Sequence, residues 1–155
     1  NETQTRDLFH SIVMGQEVTE WIETSRGKFK VKFPRARDIQ TIGKLTAMRL
    51  NGLSVQCFDY AIYNLIQQVC TLDVIVLEGP DWYELAKKEN TNFGWQDIPS
   101  QAFIQEVYAL AYNFRLKVQE QLDGVPKETN RELVDSRTSN DSDKSGIFEG
   151  LSGKS

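Results

Sequence analysis

Phe103, Val107, Leu110, Ala111, Phe114, Val118 and Leu122 recur at three- and four-residue steps through PSQAFIQEVYALAYNFRLKVQEQLDG. A strand alternates its faces every second residue and scatters such a set; an α-helix gathers it into one stripe over about five turns. Ser100 or Asp97 can cap the start, and Gly124 followed by Pro126 stops the helix.

The chain of 155 residues is of single-domain size. Its 39% hydrophobic content is unevenly placed. Residues up to about 122 are rich in Leu, Ile, Val and aromatics, enough to bury a core, whereas Lys127–Ser155 is dominated by Ser, Asp, Asn, Lys and Gly. That segment buries too little apolar area to offset its ordering entropy. The expected organisation is an N-terminal arm over 1–16, a compact helical domain with a β-hairpin over 17–124, and a flexible, disordered tail over 125–155. A short helix around Asn130–Val134 is compatible with the tail.

EVTEWIETSRGKFKVKFP has period 2. Val18, Glu20, Ile22 and Thr24 alternate with Glu17, Thr19, Trp21 and Glu23, and Phe29, Val31 and Phe33 alternate with Lys28, Lys30 and Lys32. SRGK supplies a hairpin turn in which Gly27 can take positive φ. Acidic positions on one arm can face basic positions on the other, and Pro34 ends the second strand. The Lys face reads first as a solvated strand face and second as a binding surface.

Helical spacing resumes in ARDIQTIGKLTAMRLNG, with Ile39, Ile42, Leu45, Thr46 and Met48 or Arg49 as its inner stripe. Asp38 favours the start, Asn51-Gly52 the stop, and Gly43 suggests close packing. A central helix follows, carried by Phe58, Ile62, Leu65, Ile66, Val69 and Cys70. DVIVLEG then reads equally as a further helical turn or a short buried strand. At the N-terminus, Leu8, Phe9, Ile12 and Val13 suit one short amphipathic helix ending near Gly15. The fold class is therefore mainly α with a small β-hairpin (α+β), the hairpin packed on a bundle of about three helices.

PDWYELAKKENTNFGWQDIPS joins the two best-defined helices. It has the Asn, Asp, Gly and Pro of a loop, yet it holds Trp82, Tyr83, Phe93 and Trp95. One reading is a packed crossing, with Trp82 and Leu85 facing inward from a turn or short helix after Pro80, and Phe93 and Trp95 closing the other end. The other is an exposed aromatic patch for a protein partner, since Trp and Tyr are enriched in binding hot spots. Partner-binding candidates are Trp82, Tyr83, Phe93 and Trp95, together with Ile147, Phe148 and Leu151 of the IFEGL cluster in the tail.

Chemistry-bearing motifs are weak. GLSGKS resembles the end of a phosphate-binding loop, but Phe148 stands where the first Gly belongs, and the chain ends where a helix N-terminus should receive the phosphate. His10 is the sole histidine, with no ligand spacing around it. Cys57 and Cys70 lie in apolar surroundings and read as buried free thiols of a reducing compartment. The carboxylates form no distinctive constellation, although sequence does not speak against a glycosidase-like pair. The expectation is no enzyme, no cofactor and no metal. Net charge is −4, with a single basic concentration from Arg26 to Arg37, which disfavours nucleic acid. There is no signal-peptide pattern and no apolar run long enough to span a bilayer. The first residue is Asn1, which leaves room for preceding residues or a removed leader.

Three segments resemble a family. GKFKVKFPRARDIQTIGKL, the helix leading to TLDVIVLEGPDWY, and NFGWQDIPSQAFIQEVYALAYNFR are similar in order and pattern to tail assembly chaperones of tailed bacteriophages. The resemblance spans about Gly27 to Arg115 and involves no catalytic motif. It implies a non-enzymatic protein of the infected host's cytoplasm that coats the tape-measure protein and helps recruit tail-tube subunits, with self-association as a further option. It also implies a frameshifted long form, with which Gly153-Lys154 is compatible. The alternative is a structural virion component, such as a small tail, connector or baseplate subunit.

Overall fold

The computed structural model describes residues 2–124. The chain runs α1 (Glu2–Val13), β1 (Thr19–Thr24), β2 (Gly27–Lys32), α2 (Ala36–Leu50), α3 (Tyr60–Ile75), β3 (Val76–Glu78), α4 (Asp81–Glu89) and α5 (Gln101–Asp123), with 3₁₀ turns at Val55–Cys57 and Trp95–Asp97. It is mainly helical with a small antiparallel sheet in the order β1-β2-β3.

The hairpin forms as its alternation demands. Ser25 and Arg26 make a two-residue turn closed by Thr24 opposite Gly27, whose φ is +123°. The register sets Ile22 opposite Phe29 and Glu23 opposite Lys28. Ile22, Phe29 and Val31 face the core, while Trp21 and Lys30 share the outer face. The remaining strand lysines find their acids outside β1. Lys30 pairs with Glu78 of β3 at 3.5 Å, and Lys32 lies 3.1 Å from Asp38 and 3.5 Å from Glu17.

The ambiguous DVIVLEG segment does both things in turn. α3 runs to Ile75, and the next residue turns extended, so Val76 pairs with Val31 and Glu78 with Lys30 across a register shift. Three apolar β-branched residues in a row, Val74, Ile75 and Val76, tolerate either geometry. The open edge of β2, which would otherwise leave backbone groups unpaired, decides for the strand.

Among the described residues α5 is the longest helix. Its cap is Ser100, whose Oγ accepts from the Phe103 N–H at 3.2 Å, and Gly124 ends it at φ +62°. Phe103, Ile104, Val107, Ala111, Phe114 and Val118 are buried along it. With Val69, Leu72 and Ile75 of α3 and the inner face of the sheet they make one hydrophobic core. α1 packs on α5 with Leu8 against that core, and α2 packs on α3.

Several expectations are corrected. The inner stripe of α2 is Asp38, Ile42, Thr46 and Leu50; Ile39 and Met48 are exposed. Asp38 is drawn inward because its Oδ2 accepts the Arg35 N–H at 2.9 Å and its Oδ1 faces Lys32. Burial alone would raise this carboxyl, but the Arg35 N–H and the Lys32 ammonium outweigh it and hold it below its ordinary range. Gly43 packs against nothing; a Cβ there would meet open space. Cys57 is exposed in its 3₁₀ turn, and only Cys70 is buried. Leu85 does not face inward, and Trp82 does so only in part: its ring lies 6.0 Å from Phe29 yet is 39% exposed, while its neighbour Tyr83 is buried.

Candidate functional site: an uncovered arm beside an aromatic core

The aromatic stretch between α3 and α5 is assembled around Phe29, which is fully buried. Its ring centroid lies 5.3 Å from Tyr83, 5.4 Å from Trp95, 6.0 Å from Phe103 and 6.0 Å from Trp82. Trp95 stacks on Phe103 at 6.1 Å, and Phe93 meets Tyr83 edge-on at 5.6 Å. Mixed edge-to-face and offset contacts of this kind add to the area buried.

Local chemistry places each ring. Glu84 Oε1 accepts the Gly79 N–H at 2.8 Å and secures the entry to α4. A Cβ on Gly79 would stand 2.5 Å from Tyr83 Cδ1 and 2.9 Å from Phe29 Cε1, so only glycine lets both rings close over the backbone. Trp95 is held from behind by Asp73 of α3, whose Oδ1 accepts its backbone N–H at 2.8 Å. Asp73 Oδ2 also takes the Arg49 guanidinium at 2.9 Å, so one carboxylate ties α2, α3 and the 3₁₀ turn together. Burial pushes this carboxyl up, and the Trp95 N–H and Arg49 only partly offset it. Burial also lifts the Tyr83 hydroxyl to about 12. The indole Nε1–H of Trp95 lies toward that hydroxyl yet finds no acceptor in good hydrogen-bond geometry.

Tyr83 and Trp95 are thus core residues, and Phe93 is half-buried against that core. Trp82 is 39% exposed, with its Nε1–H donating to the Arg26 carbonyl at 2.9 Å, and the exposed Leu85 follows on the same helix. Ile147, Phe148 and Leu151, like the GLSGKS motif and the Asn130–Val134 segment, lie outside the described residues.

The larger apolar surface is elsewhere. From Asn51 through Gln67 no residue is buried. The segment is ordered: Asn51 ends α2 in the left-handed region at φ 54°, Ser54 Oγ accepts the Gln56 N–H, and α3 starts at Tyr60. Leu53, Val55, Tyr60 and Ile62 are exposed, joined by Met48 from the end of α2. Tyr60 is 79% exposed and Met48 73%. Between Arg49 and Asp73 the only charged residue is Asp59. A helix apolar all round is normally buried, yet the buried residues of α3 begin only at Gln68. The sequence signal for this arm is the long uncharged run, which reads as core until the packing is known.

Among the described residues no group of three or more His, Cys, Asp or Glu is placed to hold a metal, and no helix is long and apolar enough to cross a membrane. Comparisons with protein-family models, with curated proteins and with solved structures found no match.

Proposed function

We propose that this chain is a non-enzymatic tail assembly chaperone of a tailed bacteriophage, acting in the host cytoplasm on the tape-measure protein and tail-tube subunits. The observation that carries the reading is the set of exposed apolar residues from the end of α2 to the start of α3, Met48, Leu53, Val55, Tyr60 and Ile62, in a stretch where Asp59 is the only charge between Arg49 and Asp73. Contiguous exposed apolar surface on a small domain marks a site for another protein. Apolar contact is also tolerant of the partner's sequence, which suits a protein that must shield a long, aggregation-prone client. The resemblance over Gly27–Arg115 supplies the identity of that client. Two purifications test the proposal. The chain is expected to co-purify with the tape-measure protein from infected cells and to be missing from mature virions by mass spectrometry. Stoichiometric presence in virions rejects it in favour of a structural tail, connector or baseplate subunit.

A further inference from the structure

We infer that the free edge of β1 is a pairing edge, and that two copies of this chain join their β1 strands antiparallel about a two-fold axis at Trp21 into one continuous sheet. This goes beyond the chaperone reading, uses none of the residues that carry it, and does not depend on it.

β1 is an outer strand in the order β1-β2-β3, so only one of its edges is used. The two-residue turn closes on the pair Thr24 and Gly27, and the Val18 carbonyl accepts the Phe33 N–H at 2.7 Å. Both observations make the even-numbered residues of β1 the ones bonded to β2, because bonded and non-bonded pairs alternate along an antiparallel ladder. The N–H and C=O groups of Thr19, Trp21 and Glu23 therefore point away from β2. None of them has a partner among the described residues. All three residues are exposed, Trp21 by 52%. Such an edge is a template for a further strand, and proteins commonly blunt it with Pro, Lys or a bulge. TEWIET has no Pro and no Lys, and it pairs with β2 without a register shift.

Charge and register select the occupant. The acids along this edge are already met within the chain: Glu20 by Lys117 at 3.8 Å, Glu17 by Lys32 at 3.5 Å, and Glu23 by Lys28 opposite it. No excess charge therefore calls for a basic foreign strand. A two-fold contact must instead be complementary to itself, and few registers satisfy that. An axis at Glu20 or Glu23 sets carboxylate opposite carboxylate, which is destabilising. Axes at Thr19, Ile22 or Thr24 run one end of the strand past its partner. An axis at Trp21 pairs Thr19 with Glu23 of the second copy, Ile22 with Glu20, and Trp21 with itself. It uses the whole strand, sets no acid opposite an acid, and gives the exposed indole an aromatic cross-strand partner.

The test uses the full chain. Sedimentation equilibrium should show a reversible dimer, and the amide protons of Thr19, Trp21 and Glu23 should gain protection from exchange as concentration rises. Thr19→Pro removes an outward N–H that β2 does not use, at the first residue of an edge strand, where Pro is tolerated. It should weaken the dimer by about tenfold or more and keep the circular dichroism and melting profile of the wild-type monomer. Register is read separately, with Cys57→Ser as background because Cys57 is exposed. Bonded residues opposite one another have Cα atoms about 5.5 Å apart, within disulfide reach. Thr19→Cys mixed with Glu23→Cys should therefore cross-link on oxidation. Neither should cross-link alone, since four residues of strand span about 13 Å. Where Thr19→Pro unfolds the chain, these cross-links decide. A chain that stays monomeric at every concentration overturns the inference. So does protection of the three amides that is independent of concentration, which would put residues 125–155 on the edge. A dimer of folded Thr19→Pro as tight as wild type, or a dimer without the mixed cross-link, overturns it as well.

Discussion

Trp95 has no exposed surface and touches Phe29, Tyr83 and Phe103, while its backbone N–H is fixed by Asp73. Truncation leaves a large cavity between rings that cannot all move inward. Trp95→Ala should therefore cost about 3–5 kcal/mol in denaturant unfolding. A polar group with the opposite sign of effect is Gln68. Its side-chain Oε1 is buried without a hydrogen-bond partner among the described residues, and such an acceptor costs about 1–3 kcal/mol. Gln68→Leu, close in volume, should raise stability by about 1 kcal/mol; a rise in the urea midpoint at constant slope is the readout. Neither effect is visible in a pattern of residue types, because both depend on what surrounds one atom.

At the scale of elements, the hairpin turn is tied to α5 through Glu106, beside the Arg26 guanidinium over the Phe103 ring. Glu106 accepts the Ser25 N–H at 2.8 Å and the Ser25 hydroxyl at 2.7 Å. These bonds, the hydroxyl first and then the N–H, hold its carboxyl below the ordinary range, with Arg26 assisting. A folded-state value below the unfolded one contributes stability above the unfolded value and loses it as pH falls through the folded one. Glu106→Gln should thus be less stable than wild type at neutral pH, and the gap should close as pH drops through the carboxylate range. Thermal melts of both proteins across that range check it. The hairpin of β1 and β2 was legible from SRGK and the alternation. Glu106 as the clamp was not, since it lies 81 residues from Ser25. Likewise a turn or short helix after Pro80 was legible, but the nine-residue length of α4 and its facing were not. Trp82 and Tyr83 are adjacent aromatics, and a shift of one residue in the helix start exchanges which of them is buried.

For the whole molecule, one core unites the sheet, α3 and α5, with Tyr83 and Trp95 sealing the end near Phe29. Among the described residues that core runs from Leu8 to Leu122. Deleting residues 127–155 should leave the helical circular dichroism signal per residue of the domain and its cooperative melt in place; loss of either would show that those residues complete the core. The capped start and the stop of α5, the helical periods of α2 and α3 and the hairpin turn were determined by sequence alone. Each rests on local physics: a repeat of 3.6 or 2 residues, a capping hydroxyl, and a glycine free to adopt positive φ. Tertiary structure alone decided that Val76–Glu78 leaves its helix, because β2 offered an open edge. It alone decided that Asp38 turns inward, because Lys32 and the Arg35 N–H meet it there. It also left Leu53, Tyr60 and Ile62 uncovered while closing Trp95 completely. Apolar residues state a demand for burial, but the geometry of the other elements determines which of them this chain itself satisfies.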